Sequence, residues 1–111
     1  PDVLFQFKNG RPLRIECKNV LRKRSPDGVP RLDFMRSRES KTDPCGRFYS
    51  SKEFDVIAAC LHPQTQAWTF RARMTDGMEP HPRCPDKLSQ KVVVGEDWSS
   101  DILAVLRQAA A

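Results

Sequence analysis

Apolar and polar residues alternate from Leu13 to Val20. Leu13, Ile15 and Cys17 therefore fall on one face of a strand and Arg14, Glu16 and Lys18 on the other. Val3 to Phe7 forms a second strand candidate, and Asn9-Gly10 between the two is a hairpin signal. Loop length decides which residues meet. A two-residue turn sets Val3 against Glu16 and Phe5 against Arg14, which mixes apolar and charged groups on one face, and sets Asp2 against Cys17. A three-residue loop, Lys8-Asn9-Gly10 with Gly10 left-handed, shifts the pairing by one. Val3, Phe5, Leu13, Ile15 and Cys17 then share an apolar face. Asp2, Gln6, Arg14, Glu16 and Lys18 share the other, with Leu4 among them. The hydrophobic pattern selects this register, in which Asp2 lies across from Glu16 with Cβ atoms about 5 Å apart.

Farther along, Ser25-Pro26-Asp27-Gly28 suits a type I turn. Residues 29–37 read as a third strand, which Pro30 restricts to an edge or a strand beginning. Residues 38–49 are loop-like. Ser50-Ser51-Lys52-Glu53 matches a capping box, and Phe54, Ile57, Ala58 and Leu61 recur at helical spacing. The pattern predicts a helix here, stopped by His62-Pro63, with Asp55 off its apolar stripe and exposed. Residues 67–73 alternate as a fourth strand, residues 74–90 are proline-rich and irregular, and Lys91 to Val94 reads as a short fifth strand. Ser99 or Ser100 caps a final helix through Ile102, Leu103, Val105 and Leu106. Trp68, Phe70 and Trp98 are read as core or interface residues. The elements make one α/β domain of 111 residues, enough to bury a core without disulfide or metal staples.

Charge changes this picture. Residues 1–52 carry thirteen Lys or Arg against six Asp or Glu, whereas residues 53–111 carry six against eight. A basic first half suits a polyanionic partner, although Arg22-Lys23-Arg24 sits in a loop and suits a solvated surface equally. No apolar run is long enough to span a membrane, and no signal peptide is visible. The chain does not begin with Met, so a domain cut from a longer protein is expected. Cys17, Cys45, Cys60 and Cys84 match no familiar zinc spacing. Cys17 and Cys60 fall on apolar positions, and all four read as reduced thiols of an intracellular, cytoplasmic protein. A zinc site using Cys45, Cys84 and a histidine is the alternative. His62 and His81 each precede a proline and have no evident catalytic partner.

The chemistry concentrates at the start. Pro1-Asp2 and Glu16-Cys17-Lys18 read PD…ExK. Two carboxylates can hold a divalent metal that neutralises phosphate charge and acidifies a water, and a neighbouring lysine can orient that water or stabilise developing charge. The same residues also suit a salt-bridge cluster on a solvated sheet face.

The motif, its order and its strand placement resemble the PD-(D/E)XK nuclease superfamily. The family core of helix, three strands, helix and strand is matched in order over residues 1 to about 73. Residues 48–59 are also similar to its members, where an F-D-hydrophobic-A helix follows the third strand. The resemblance implies a restriction-endonuclease-like core, with a three-stranded antiparallel meander followed by helix and strand. The family's first helix would lie before Pro1, and residues 74–111 form a C-terminal extension. It further implies Mg²⁺, with Mn²⁺ able to substitute, on Asp2, Glu16 and the backbone carbonyl of Cys17, and Lys18 acting on the water. Arg14, Arg36 and Arg38 are the candidate phosphate contacts. The expected activity is metal-dependent endonucleolytic hydrolysis of DNA, with RNA or branched DNA as further substrates to consider and a homodimer plausible for double-strand cutting. The alternative is a catalytically inactive DNA-binding or interaction module of a larger restriction or mobile-element protein.

Overall fold

In the computed structural model, which describes residues 2–35 and 43–111, β1 (Val3–Phe5) and β2 (Leu13–Asn19) form the antiparallel hairpin in the register of the longer loop. Val3 faces Ile15, Leu4 faces Arg14 and Phe5 faces Leu13. The turn closes with the Gly10 N–H donating to Phe7 O at 2.9 Å. Asn9, with φ 64°, takes the left-handed position expected for Gly10. Asparagine is among the few residues that adopt it at low cost. The second turn is as expected, with the Gly28 N–H donating to Ser25 O at 2.8 Å.

The third strand departs from the meander. β3 (Arg31–Asp33) leaves the hairpin and pairs with β6 (Lys91–Val93) in a separate two-stranded antiparallel sheet. The neighbour of β2 is instead β4 (Val56–Cys60), running parallel to it, with Glu16 opposite Ile57 and Lys18 opposite Ala59. This strand lies where the pattern predicts a helix. All five of its residues are buried, and a strand covered on both faces shows a continuous apolar run that helical spacing also fits. The capping-box contact forms without a helix: the Ser50 N–H donates to Glu53 Oε2 at 2.6 Å within a turn. His62-Pro63 likewise begins rather than ends a helical turn, α1 (His62–Thr65), with Pro63 in its first turn where no N–H is needed. β5 (Phe70–Met74) pairs antiparallel with β4, completing the order β1-β2-β4-β5.

α2 (Ile102–Ala110) is capped by Asp101, not by either serine: Asp101 Oδ1 accepts from the Ala104 N–H at 3.1 Å. It lays Val105 and Leu106 on the sheet face formed by Leu13, Ile15, Val56, Ala58 and Ala72. The opposite face, with Ile57 and Ala59, packs on Leu32, Phe34, Val92, Val94 and Trp98. Residues beyond Met74 thus contribute to both cores.

Cysteine behaviour differs from the sequence reading. Cys45 and Cys84 form a disulfide, while Cys17 is an exposed and Cys60 a buried free thiol. The bond replaces both the reduced-thiol and the zinc readings of this pair, and it removes the ground on which an intracellular location is expected. Among the described residues no helix is long and apolar enough to cross a membrane.

Candidate active site

Glu16 and Lys18 project from the same face of β2, one residue pair apart, and strand alternation alone puts them there. Asp2 joins them from the end of β1. Its backbone N–H donates to Ile15 O at 3.0 Å, and its Oδ2 accepts from the Cys17 N–H at 2.9 Å. Asp2 is thereby bonded to the residues on either side of Glu16. The N–H and C=O of a strand residue point the same way, so the Cys17 carbonyl also turns toward the Asp2 edge.

The two carboxylates influence each other. The Glu16 carboxyl is pushed above its ordinary value, first by partial burial and then by the negative charge of Asp2; Lys18 and a hydrogen bond from Tyr49 oppose the rise. Tyr49 is the site residue that sequence reasoning missed. It packs at a tilt on Phe34, with ring centroids 4.5 Å apart, and meets Phe54 edge-on at 5.5 Å, which fixes its ring beside β2. Lys18 Nζ lies 5.2 Å from the centre of that ring and donates to Met35 O at 3.4 Å. Nothing in the local pattern marks Tyr49, because the contact depends on the long return from β3 to β4.

Arg14 stands on the same strand face but is held elsewhere. Its backbone N–H donates to Asp55 Oδ2 at 2.8 Å, its Nε lies 3.3 Å from the same oxygen, and its Nη1 donates to Lys52 O at 2.7 Å. Asp55, expected on an exposed helix face, is mostly buried and also receives Arg11 at 3.3 Å. Burial raises the Asp55 pKa, but the Arg14 hydrogen bonds and both guanidinium charges outweigh it, and the net shift is downward. Arg36, Arg38 and Pro1 lie outside the described residues.

The structure therefore brings together Asp2, Glu16, Cys17 and Lys18, and commits Arg14 to an ion-pair cluster. Among the described residues no group of three or more His, Cys, Asp or Glu side chains could hold a metal. Two carboxylates and a backbone carbonyl still form an all-oxygen set of the kind Mg²⁺ takes while retaining waters. Compared with protein-family models, curated proteins and solved structures, the chain has no match.

Proposed function

We propose that this chain is a metal-dependent endonuclease domain, and that it hydrolyses DNA phosphodiester bonds at the Asp2–Glu16–Lys18 edge of β2. The observation that carries the reading is the clamping of Asp2 onto Ile15 and Cys17 across Glu16, which gathers two carboxylates beside a lysine. Like charges this close favour a cation between them.

Mg²⁺ or Mn²⁺, held by Asp2, Glu16 and the Cys17 carbonyl, would supply positive charge at the scissile phosphate and a more acidic water. The chain's own residues do the rest. The Cys17 N–H fixes one oxygen of the Asp2 carboxylate, leaving the other for a ligand. Tyr49 favours the ionised form of Glu16. The Met35 carbonyl and the Tyr49 ring hold the Lys18 ammonium near the carboxylates, where it orients water or stabilises charge on the attacked phosphate.

Cleavage of plasmid DNA by the wild-type protein and by Asp2→Ala, Glu16→Ala and Lys18→Ala tests the proposal. Metal-dependent nicking that is lost in both carboxylate variants and slowed about 10²-fold or more in the lysine variant supports it. Robust cleavage in chelator, or undiminished cleavage by the Asp2→Ala/Glu16→Ala double variant, refutes it. DNA retention without hydrolysis favours the binding-module alternative.

A further inference from the structure

We infer that the surface beyond the C-terminal ends of β2 and β4 is a stacking platform for an unpaired base of a nucleic-acid strand. The substrate class rests on the nuclease reading above; the geometry does not.

Trp68 is 74% exposed, although its residue type is usually buried. One face of its indole is stacked on His62, with ring centroids 4.1 Å apart and planes 23° from parallel. His62 opens α1 and Trp68 lies in the return to β5, so the stack is held by a short closed loop. Thr65 Oγ1 bonds Leu61 O and Ala67 O, each at 3.1 Å, and the Leu61 N–H donates to Thr69 O at 2.8 Å. The indole is therefore held flat on its support with much of its surface open to solvent. Phe70, at 37% exposure, follows it at the sheet edge.

The basic loop after β2 is tied to the same turn. Gln64 Nε2 donates to Leu21 O at 2.7 Å, and Arg24 Nη2 donates to Gln64 O at 3.1 Å. This brings the exposed Arg22, Lys23 and Arg24 alongside the turn that carries the stack. The two segments that meet carry no Asp or Glu from residue 17 to 26 or from residue 56 to 75. Asp27, the first carboxylate beyond the basic loop, is bonded by Arg31 at 2.9 Å. Cations with no carboxylate partner among the described residues, beside a supported aromatic face, match a phosphate backbone with an accessible base. Stacking of this kind tolerates any base sequence. A continuous duplex offers no free base face, so the platform suits single strands, frayed ends or branch points.

The protein holds two tryptophans, Trp68 exposed and Trp98 buried, so Trp68→Ala removes the solvent-facing indole and leaves the buried one in place. Binding is measured in chelator, which removes cleavage, by the fluorescence anisotropy of a dye-labelled short single-stranded oligodeoxynucleotide and of a dye-labelled duplex closed at both ends, so that the probe is the same for every variant. Trp68→Ala is expected to weaken single-strand binding about tenfold or more while leaving the closed duplex unaffected. Replacing Arg22, Lys23 and Arg24 by Ala is expected to weaken both and to flatten the salt dependence. Equal single-strand affinity in the wild type and Trp68→Ala overturns the inference. So does sedimentation showing that Trp68→Ala abolishes self-association instead, which assigns the surface to a second copy. Failure of the nuclease reading shows separately, as metal-dependent cleavage that survives in Asp2→Ala/Glu16→Ala.

Discussion

Lys18 Nζ lies 5.2 Å from the centre of the Tyr49 ring, and Tyr49 also favours the ionised form of Glu16. One aromatic side chain thus acts on both the lysine and the carboxylate of the candidate site. Tyr49→Phe keeps the ring but removes the hydroxyl that favours ionised Glu16. The acid limb of the cleavage pH profile is expected to move to higher pH, with little loss of stability. Tyr49→Ala also loses the packing on Phe34 and Phe54, and is expected to cost on the order of 2 kcal/mol in urea denaturation.

Glu16 has a second, thermodynamic signature. Its folded-state pKa is raised above 4.5, so the folded chain holds the proton more tightly than the unfolded chain. Stability without metal therefore falls as pH rises from the ordinary glutamate range through the folded value. Glu16→Gln removes that loss. Its denaturation midpoint is expected to match the wild type in acid and exceed it at neutral pH, with the gap narrowing when Mg²⁺ is added.

Asp55 behaves oppositely. Its pKa is lowered below 3.8, so the stability it provides is present above that value and is lost as pH falls through the folded value. Asp55 joins the start of β4 to β2 by accepting the Arg14 N–H at 2.8 Å. Asp55→Ala is expected to cost about 2 kcal/mol at neutral pH and to flatten the acid side of the stability curve. Chemical denaturation across pH reads both effects.

The Cys45–Cys84 bond closes a loop with a sequence separation of 39 residues. Replacing both cysteines by serine is expected to cost about 2–4 kcal/mol. Thiol counting on the unreduced, denatured protein is expected to find only Cys17 and Cys60; four reactive thiols would show that the bond does not form.

The hairpin was legible in the sequence because a half-buried strand alternates and a one-residue slip inverts every side chain. Val3 against Ile15 followed from that alone. β4 was not legible as a strand. Burial on both faces removes the period-two signal, and the Ser50–Glu53 contact is local enough to form in a turn as readily as at a helix start. The pairing of β3 with β6 and the seating of Tyr49 depend on contacts between distant segments, which no local period records. The sequence left Trp68 as core or interface, and its exposure excludes the core; composition gives a tryptophan's average burial, not its position at a loop tip.

The central claim is that Asp2 and Glu16 share a divalent cation. Calorimetric titration of Mn²⁺ into the wild-type protein and into Asp2→Ala, Glu16→Ala and Lys18→Ala tests it directly. The account predicts one site in the wild type, its loss in either carboxylate variant, and near-wild-type affinity in Lys18→Ala, because the lysine is not a ligand. Equal binding in the wild type and both carboxylate variants, or no binding to any of them, would contradict it.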